Sequence, residues 1–220
     1  MFFTGYKPNV RDAFLHYNAY QSVFIYDQVL EDKEPTQQVG DNGEVKMIIM
    51  HGDSIGKFHF KDLKTKQLKT RDFIRKTPYI IHNSLSEIAW QIQGDTMKIG
   101  NYSCQKAVTR FRGRDYTAWF TTQIPINAGP WKLYGLPGLI LEAYSTDKEV
   151  YFKAKEISTH PKSNIKKRIY FLGKEVSFEE FKKLEQKHTE DLINMIHSLE
   201  SKGVKIELNI EQSSPIEKDF

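Results

Sequence analysis

Lys106, Arg110, Arg112 and Arg114 put four cations into one short, strand-like stretch. If residues 103–112 form a strand, residues two apart share a face. Lys106, Val108, Arg110 and Arg112 then line up, and Arg114 follows at the turn. Ala107, Thr109 and Phe111 pack inward on the opposite side. A row of this kind can hold a phosphate, a lipid head group or an acidic peptide. A solvated strand face whose charges discourage pairing at an edge has the same pattern. Trp131 is the aromatic candidate for the same ligand site. It lies between Pro130 and Lys132 in a turn-rich stretch, where binding residues often reside. Trp90, Trp119, Tyr102, Tyr116 and Tyr134 read as core before groove, because each ring can bury a large apolar area.

Evidence for catalysis is thinner. Cys104 is the single cysteine. A nucleophilic thiol needs a base and a depressed pKa. Strict alternation puts Cys104 on the cationic face, which would lower its pKa, but no base stands near it in sequence. No G-x-S-x-G elbow, H-E-x-x-H pair or Walker loop occurs. No two carboxylates are marked out for acid–base work. The seven histidines show no metal-ligand spacing. His188 falls on the apolar stripe of a helical segment and reads as a partly buried side chain. The expectation is a non-catalytic protein with no cofactor and no metal. Its partner would be an anionic or amphipathic small ligand, a peptide or an envelope component. The alternative is a hydrolase whose site is assembled only by the fold.

The elements that must position these residues are mostly short strands. Val45 to Met50, Ile55 to Phe60, Gln67 to Arg75, Tyr79 to Leu85 and Val150 to Ile157 are β-rich, and Ile88, Trp90 and Ile92 alternate with polar neighbours. Asp41-Asn42-Gly43 is a strong hairpin signal, and Pro78 suits the start of a strand. Gly113-Arg114 would turn the cationic strand back into 115–122. Ser177 to Lys202 differs, because its apolar residues recur every three or four positions. Ser177 and Glu180 form an S-x-x-E capping box, and Gly203 suits the C′ stop. Val204 to Ile210 returns to period two as a last strand. The fold class is mainly β (α+β), with a curved antiparallel sheet, one long C-terminal helix packed on it, and a final strand. A half-barrel wrapped on a helix would fit, by architectural analogy alone.

Composition sets the outer limits. A chain of 220 residues with 39% hydrophobic residues builds one sizeable core, so residues 1–220 read as a single domain. Its 32 Lys and Arg against 28 Asp and Glu leave too small an excess to argue for nucleic acid. No apolar run is long enough to span a bilayer. The first twenty residues lack a basic stretch followed by an apolar one, so no leader is visible.

Gly135-Leu136-Pro137-Gly138-Leu139-Ile140 is the most distinctive run. Pro fixes φ and Gly tolerates φ > 0, so Leu136-Pro137-Gly138 is turn chemistry, and Leu139 to Leu141 read as a buried strand. Upstream stand Gly100-Asn101-Tyr102-Ser103-Cys104-Gln105-Lys106-Ala107, Phe111-Arg112-Gly113-Arg114, Ala118-Trp119-Phe120-Thr121 and Ile124-Pro125-Ile126. Ser214-Pro215-Ile216-Glu217 lies near the end. Together these words resemble the GLPGLI family, exported proteins of Bacteroidetes-type bacteria with no settled activity. The likeness is strongest over residues 72–158. It implies a protein of the periplasm or outer membrane whose leader has been removed. It implies no reaction, and the motif glycines are expected to be structural.

Overall fold

In the computed structural model, residues 12–28, 37–39, 45–47, 52–158 and 171–201 are described. The strands in chain order are β1 (Phe14–Tyr17), β2 (Gln21–Tyr26), β3 (Gln37–Val39), β4 (Val45–Met47), β5 (Lys57–Asp62), β6 (Gln67–Ile74) and β7 (Thr77–Ser84). They continue as β8 (Gln91–Ile99), β9 (Tyr102–Phe111), β10 (Arg114–Thr121), β11 (Leu139–Ser145), β12 (Tyr151–Lys153) and β13 (Lys174–Ser177), and helix α1 (Phe178–Glu200) follows. The mainly-β reading with one C-terminal helix holds.

The strands divide between two main sheets. One has the order β1-β2-β5-β6-β7-β13 and the other β12-β11-β10-β9-β8, while β3 and β4 pair by themselves. The second sheet keeps sequence order: short turns join β8 to β9, β9 to β10 and β11 to β12, while residues 122–138 connect β10 to β11. The first closes differently, because β13 joins β7 in parallel. Sequence reading missed β13, a four-residue strand that runs straight into the helix cap. It also missed β1 and β2. The turns at 41–43 and at Gly203 and the strand over 204–210 lie outside the described residues.

The two sheets pack face to face. Phe24 of β2 meets Phe152 of β12 edge-on, with ring centroids 5.7 Å apart. Ala107, Phe111, Tyr116, Ala118, Phe120, Trp131, Leu136, Ile140 and Ala143 complete this layer. Burying the Phe, Leu and Ile side chains among them contributes about 1.5–3 kcal/mol each. The outer side of the six-stranded sheet buries Val23, Ile25, Phe58 and Ile80 beneath Phe171. Part of the outer side of the five-stranded sheet buries Cys104, Leu139 and Leu141 with Ile124 and Ala128 from the connection that precedes β11.

Strand β11 is buried on both sides, by the facing sheet and by the connection that precedes it, and it carries a bulge. The register with β10 shifts between Trp119 and Phe120, so Leu141 is the extra residue. Leu139 and Leu141 face outward, Ile140 and Ala143 inward, and Glu142 joins the outward set.

Helix α1 begins as its sequence predicts. Ser177 caps it and accepts from the Glu180 backbone N–H, while the Glu180 side chain accepts from the Ser177 N–H. Phe181 is buried and meets the Tyr79 ring edge-on at 5.7 Å. Tyr79 alternates away from Ile80, so the helix and the five-stranded sheet cover the same side of the larger sheet. No helix among the described residues is long and apolar enough to cross a membrane.

Candidate functional site

The predicted cationic strand forms, and its alternation is as expected. Ala107, Thr109 and Phe111 are buried on the inward side, while Arg110 is exposed. The row itself is broken at its end. Phe111 pairs directly with Arg114, so the two-residue turn is Arg112-Gly113, not Gly113-Arg114. Both turn residues have positive φ, 47° and 74°, the backbone that a tight hairpin with native twist requires. That shift of one residue reverses the parity of Arg114. It points inward with Tyr116, Ala118 and Phe120, and is 2% exposed.

Each predicted cation has its own surroundings. Arg114 reaches Asp147 at 2.5 Å and Glu149 at 2.6 Å. Lys106 pairs with Asp95 at 3.6 Å, and Arg110 with Asp115 at 3.4 Å. Arg112 is half-buried at the turn, its guanidinium 5.4 Å from the centre of the Phe111 ring. The structure thus brings Lys106 and Arg110 together on one face and sends Arg112 and Arg114 elsewhere.

Trp131 belongs to the layer between the sheets. It is 2% exposed, with φ 50°, and packs against Phe111 at 5.8 Å, Tyr116 at 6.0 Å and His59 at 6.4 Å between ring centroids. A left-handed backbone is unusual for a bulky residue. Lys61 holds the loop in place. Its Nζ donates to the carbonyls of Gly129 at 2.8 Å, Trp131 at 2.9 Å and Leu133 at 2.8 Å. Burial draws the Lys61 pKa down to about 7. The three carbonyls act the other way, because only the ammonium form has three N–H groups to give.

His59 lies beside Lys61 on the same face of β5. Its Nδ1 is 3.1 Å from Thr70 Oγ1 and its Nε2 3.3 Å from Tyr26 Oη. Burial first, then the charges of Lys132, Lys61, Arg112 and Lys57, hold its pKa well below the usual imidazole range. It is therefore a neutral ring bridging strands. Arg71 plays a similar part on the other side of the sheet. It donates to Asp53, to the Gly56 carbonyl and to the Leu172 carbonyl. These buried groups hold backbone together.

Cys104 lies on the outward side of β9, as alternation requires, but it is 1% exposed. Burial pushes its thiol up, against the expectation of a lowered pKa. Among the described residues no three His, Cys, Asp or Glu side chains gather as metal ligands. His188 accepts a hydrogen bond from Arg75 Nε at 3.2 Å. A surface concavity of about 380 Å³ is lined by Gln67, Leu68, His82, Asn83 and Ser84, of which Leu68 pairs across the sheet with Lys61.

The motif residues 135–140 are a brace, each for its own reason. Gly135 has φ 99° and its N–H donates to the Asn127 side chain. Leu136, Leu139 and Ile140 are buried, whereas Pro137 is exposed. Gly138 needs no special φ. A Cβ there would sit 2.1 Å from the Thr121 carbonyl oxygen. The Trp90 indole N–H donates to the Tyr134 carbonyl at 2.7 Å and ties the loop to the start of β8.

No strand or helix among the described residues covers the remaining outward side of the five-stranded sheet, and sequence reading missed it. Register places Lys106, Trp119, Glu142 and Lys153 in one cross-strand row. Val108, Thr117, Tyr144 and Tyr151 form the next, and Arg110 and Asp115 a third. Tyr151 is 55% exposed and stacks on Tyr144, with ring centroids 6.2 Å apart and planes 26° apart. Lys153 lies 3.6 Å from Glu142. Burial and the neighbouring Glu142 carboxylate raise the pKa of the Tyr151 phenol. The available signal was period-two alternation from Val150 to Ile157, which shows that a face exists but not which strands neighbour it.

Residues 112–142 match the model of a family described as a protein of unknown function, Porph_ging. The matched stretch runs from the Arg112-Gly113 turn through the motif loop to Glu142. No curated protein matches the chain. Two solved structures of PNGF-II resemble it. In one, 14% of residues are identical, the TM-score is 0.59, and the match covers 82% of this chain and 30% of PNGF-II. In a second crystal form the values are 15%, 0.54, 83% and 31%. The chain thus spans about three tenths of the length of PNGF-II. At such identity the likeness is one of fold.

Proposed function

We propose that this is a non-catalytic binding or accessory protein of the cell envelope, of the GLPGLI type, acting through the open face of its five-stranded sheet. The observation that carries the reading is the distribution of polar groups. His59, Lys61, Arg71 and Arg114 are buried and committed to holding backbone, loops and sheets. Tyr151, by contrast, is exposed, as are Phe14 and Tyr20 on the β1–β2 hairpin, and it stacks on the half-buried Tyr144 on the outward face of the five-stranded sheet. Binding modules place rigid rings and a polar rim on a firm scaffold in this way. The envelope location rests on the wording of residues 100–107, 111–114, 118–121 and 135–140, and the Porph_ging match, over residues 112–142, takes in the later of these words.

Native mass spectrometry of the protein purified from its own cell envelope tests this. A retained ligand that is lost from the Tyr144→Ala/Tyr151→Ala variant is the expected result. Recovery in the cytoplasmic fraction, or turnover of a substrate by the purified protein, contradicts the reading.

A further inference from the structure

We propose that the open face binds a neutral saccharide chain, laid across Tyr144 and Tyr151. This rests on the reading that the face is a binding site, and adds the chemistry of its ligand.

The charges argue first. Lys106 pairs with Asp95, Arg110 with Asp115 and Lys153 with Glu142, at 3.4 to 3.6 Å. Three cations on or beside the face thus meet three carboxylates. An anionic ligand would have to compete with a carboxylate at every cation. A neutral one meets no such competition. A hydroxyl both donates and accepts. Each loose ion pair at the rim offers it a fixed acceptor and a fixed donor side by side.

The rings argue second. Tyr144 and Tyr151 stack on adjacent strands, Tyr144 half-buried and Tyr151 exposed, so Tyr151 is the ring most open to a ligand. A pyranose ring presents C–H groups on its flat side and hydroxyls at its edge. The C–H side suits the electron-rich face of a tyrosine, which carries partial negative charge. The edge hydroxyls then fall toward Glu142 and Lys153 in one neighbouring row, and toward Arg110 and Asp115 in the other. Trp119 sits in the Glu142 row and extends the apolar surface across one more strand. The Tyr151 hydroxyl, on edge strand β12 and beside the Glu142 carboxylate, adds a polar group at the margin of the face.

The test uses the full chain and four probes: the hexasaccharides of β-1,4-linked glucose, xylose, mannose and N-acetylglucosamine. Binding is read by calorimetry and by tryptophan fluorescence in 0.05 M and 0.5 M NaCl. At least one probe is expected to bind with little change between the two salts, because no net charge is screened. Tyr151→Ala should weaken that binding tenfold or more, while Tyr151→Phe keeps most of it. Circular dichroism checks that each variant is folded. Silence from all four probes overturns the proposal, as does binding that the folded Tyr151→Ala variant retains in full. Binding to vesicles containing phosphatidylglycerol that disappears in 0.5 M NaCl also overturns it, in favour of an anionic ligand. A non-saccharide ligand retained from the envelope and lost in the Tyr144→Ala/Tyr151→Ala variant refutes the saccharide but leaves the binding reading standing.

Discussion

Lys61 Nζ lies 2.9 Å from the carbonyl oxygen of Trp131, and this bond joins a buried cation to a bulky residue at φ 50°. A left-handed backbone costs an L-residue about 1–2 kcal/mol. Hydrogen bonds to charged groups contribute about 1.5–3 kcal/mol each. Three such bonds outweigh the strain, so the loop over residues 129–133 keeps its shape through Lys61.

Lys61→Met is therefore expected to destabilise strongly. It leaves three buried carbonyls without their donor. A loss of about 2–5 kcal/mol is expected, read as a lower midpoint in urea. Trp131 fluorescence should also shift to the red. A variant with the parental midpoint would show that the loop holds itself.

Acid should weaken the contact between the sheets through His59. Its pKa is depressed in the fold, against a usual value of about 6.5. Above that value neither state carries the proton, and the full stability is present. As pH falls below it, the unfolded chain gains a proton that the folded ring refuses. Stability then drops by up to about 1.4 kcal/mol per pH unit until the folded pKa is reached. His59→Gln should flatten this slope between pH 6.5 and 5 in denaturation curves. An equal slope in both proteins assigns the acid sensitivity to other groups.

Gly138→Ala and Gly100→Ala separate crowding from backbone conformation. At Gly138 a Cβ meets the Thr121 carbonyl at 2.1 Å, whereas at Gly100 nothing lies within 4 Å but φ is +57°. The first should cost about 1–3 kcal/mol or more, because backbone has to move. The second should cost about 1 kcal/mol. Thermal melts that rank them the other way would mean the β10–β11 junction yields easily.

Arg114→Ala should cost about 1.5–3 kcal/mol, the loss of charge-assisted hydrogen bonds from a buried guanidinium to Asp147 and Glu149, which stay partly in solvent. Arg110→Ala should stay within the scatter of surface substitutions, since its pair with Asp115 is exposed. If the two variants melt together, the parity assigned to Arg114 is wrong.

Cys104 should resist Ellman's reagent in the folded protein and react fully in guanidinium. The thiol is 1% exposed and its pKa is raised by burial. Rapid reaction in native buffer would show that the outer cluster opens.

The sequence carried the elements better than their surroundings. The capping box fixed the start of α1, because Ser177 and Glu180 act within one turn. Alternation fixed the faces of β9, because neighbouring side chains must point oppositely. Arg114 was misplaced by a single residue of turn position, and a one-residue slip flips every later side chain. Trp131 was judged from the turn residues around it, but its burial depends on β5, whose Lys61 binds its carbonyl from a distance of 70 residues along the chain. The interior roles of His59 and Lys61 were invisible for the same reason. In 57–61 polar and apolar residues alternate, and the pattern gives no sign that both sides are covered. The Tyr144–Tyr151 platform needs the order of strands, which no local pattern contains.

The parallel union of β13 with β7 has a consequence for synthesis. Every other pairing in the two main sheets joins strands that lie within residues 12–153. A nascent chain released up to residue 158 can complete the whole five-stranded sheet and five strands of the larger one. It then presents the eight residues of β7 as a bare edge. Unpaired edges invite other chains to add to them. The last of the larger sheet's six strands thus arrives with the C-terminal helix, and until then β7 is an edge open to misassembly.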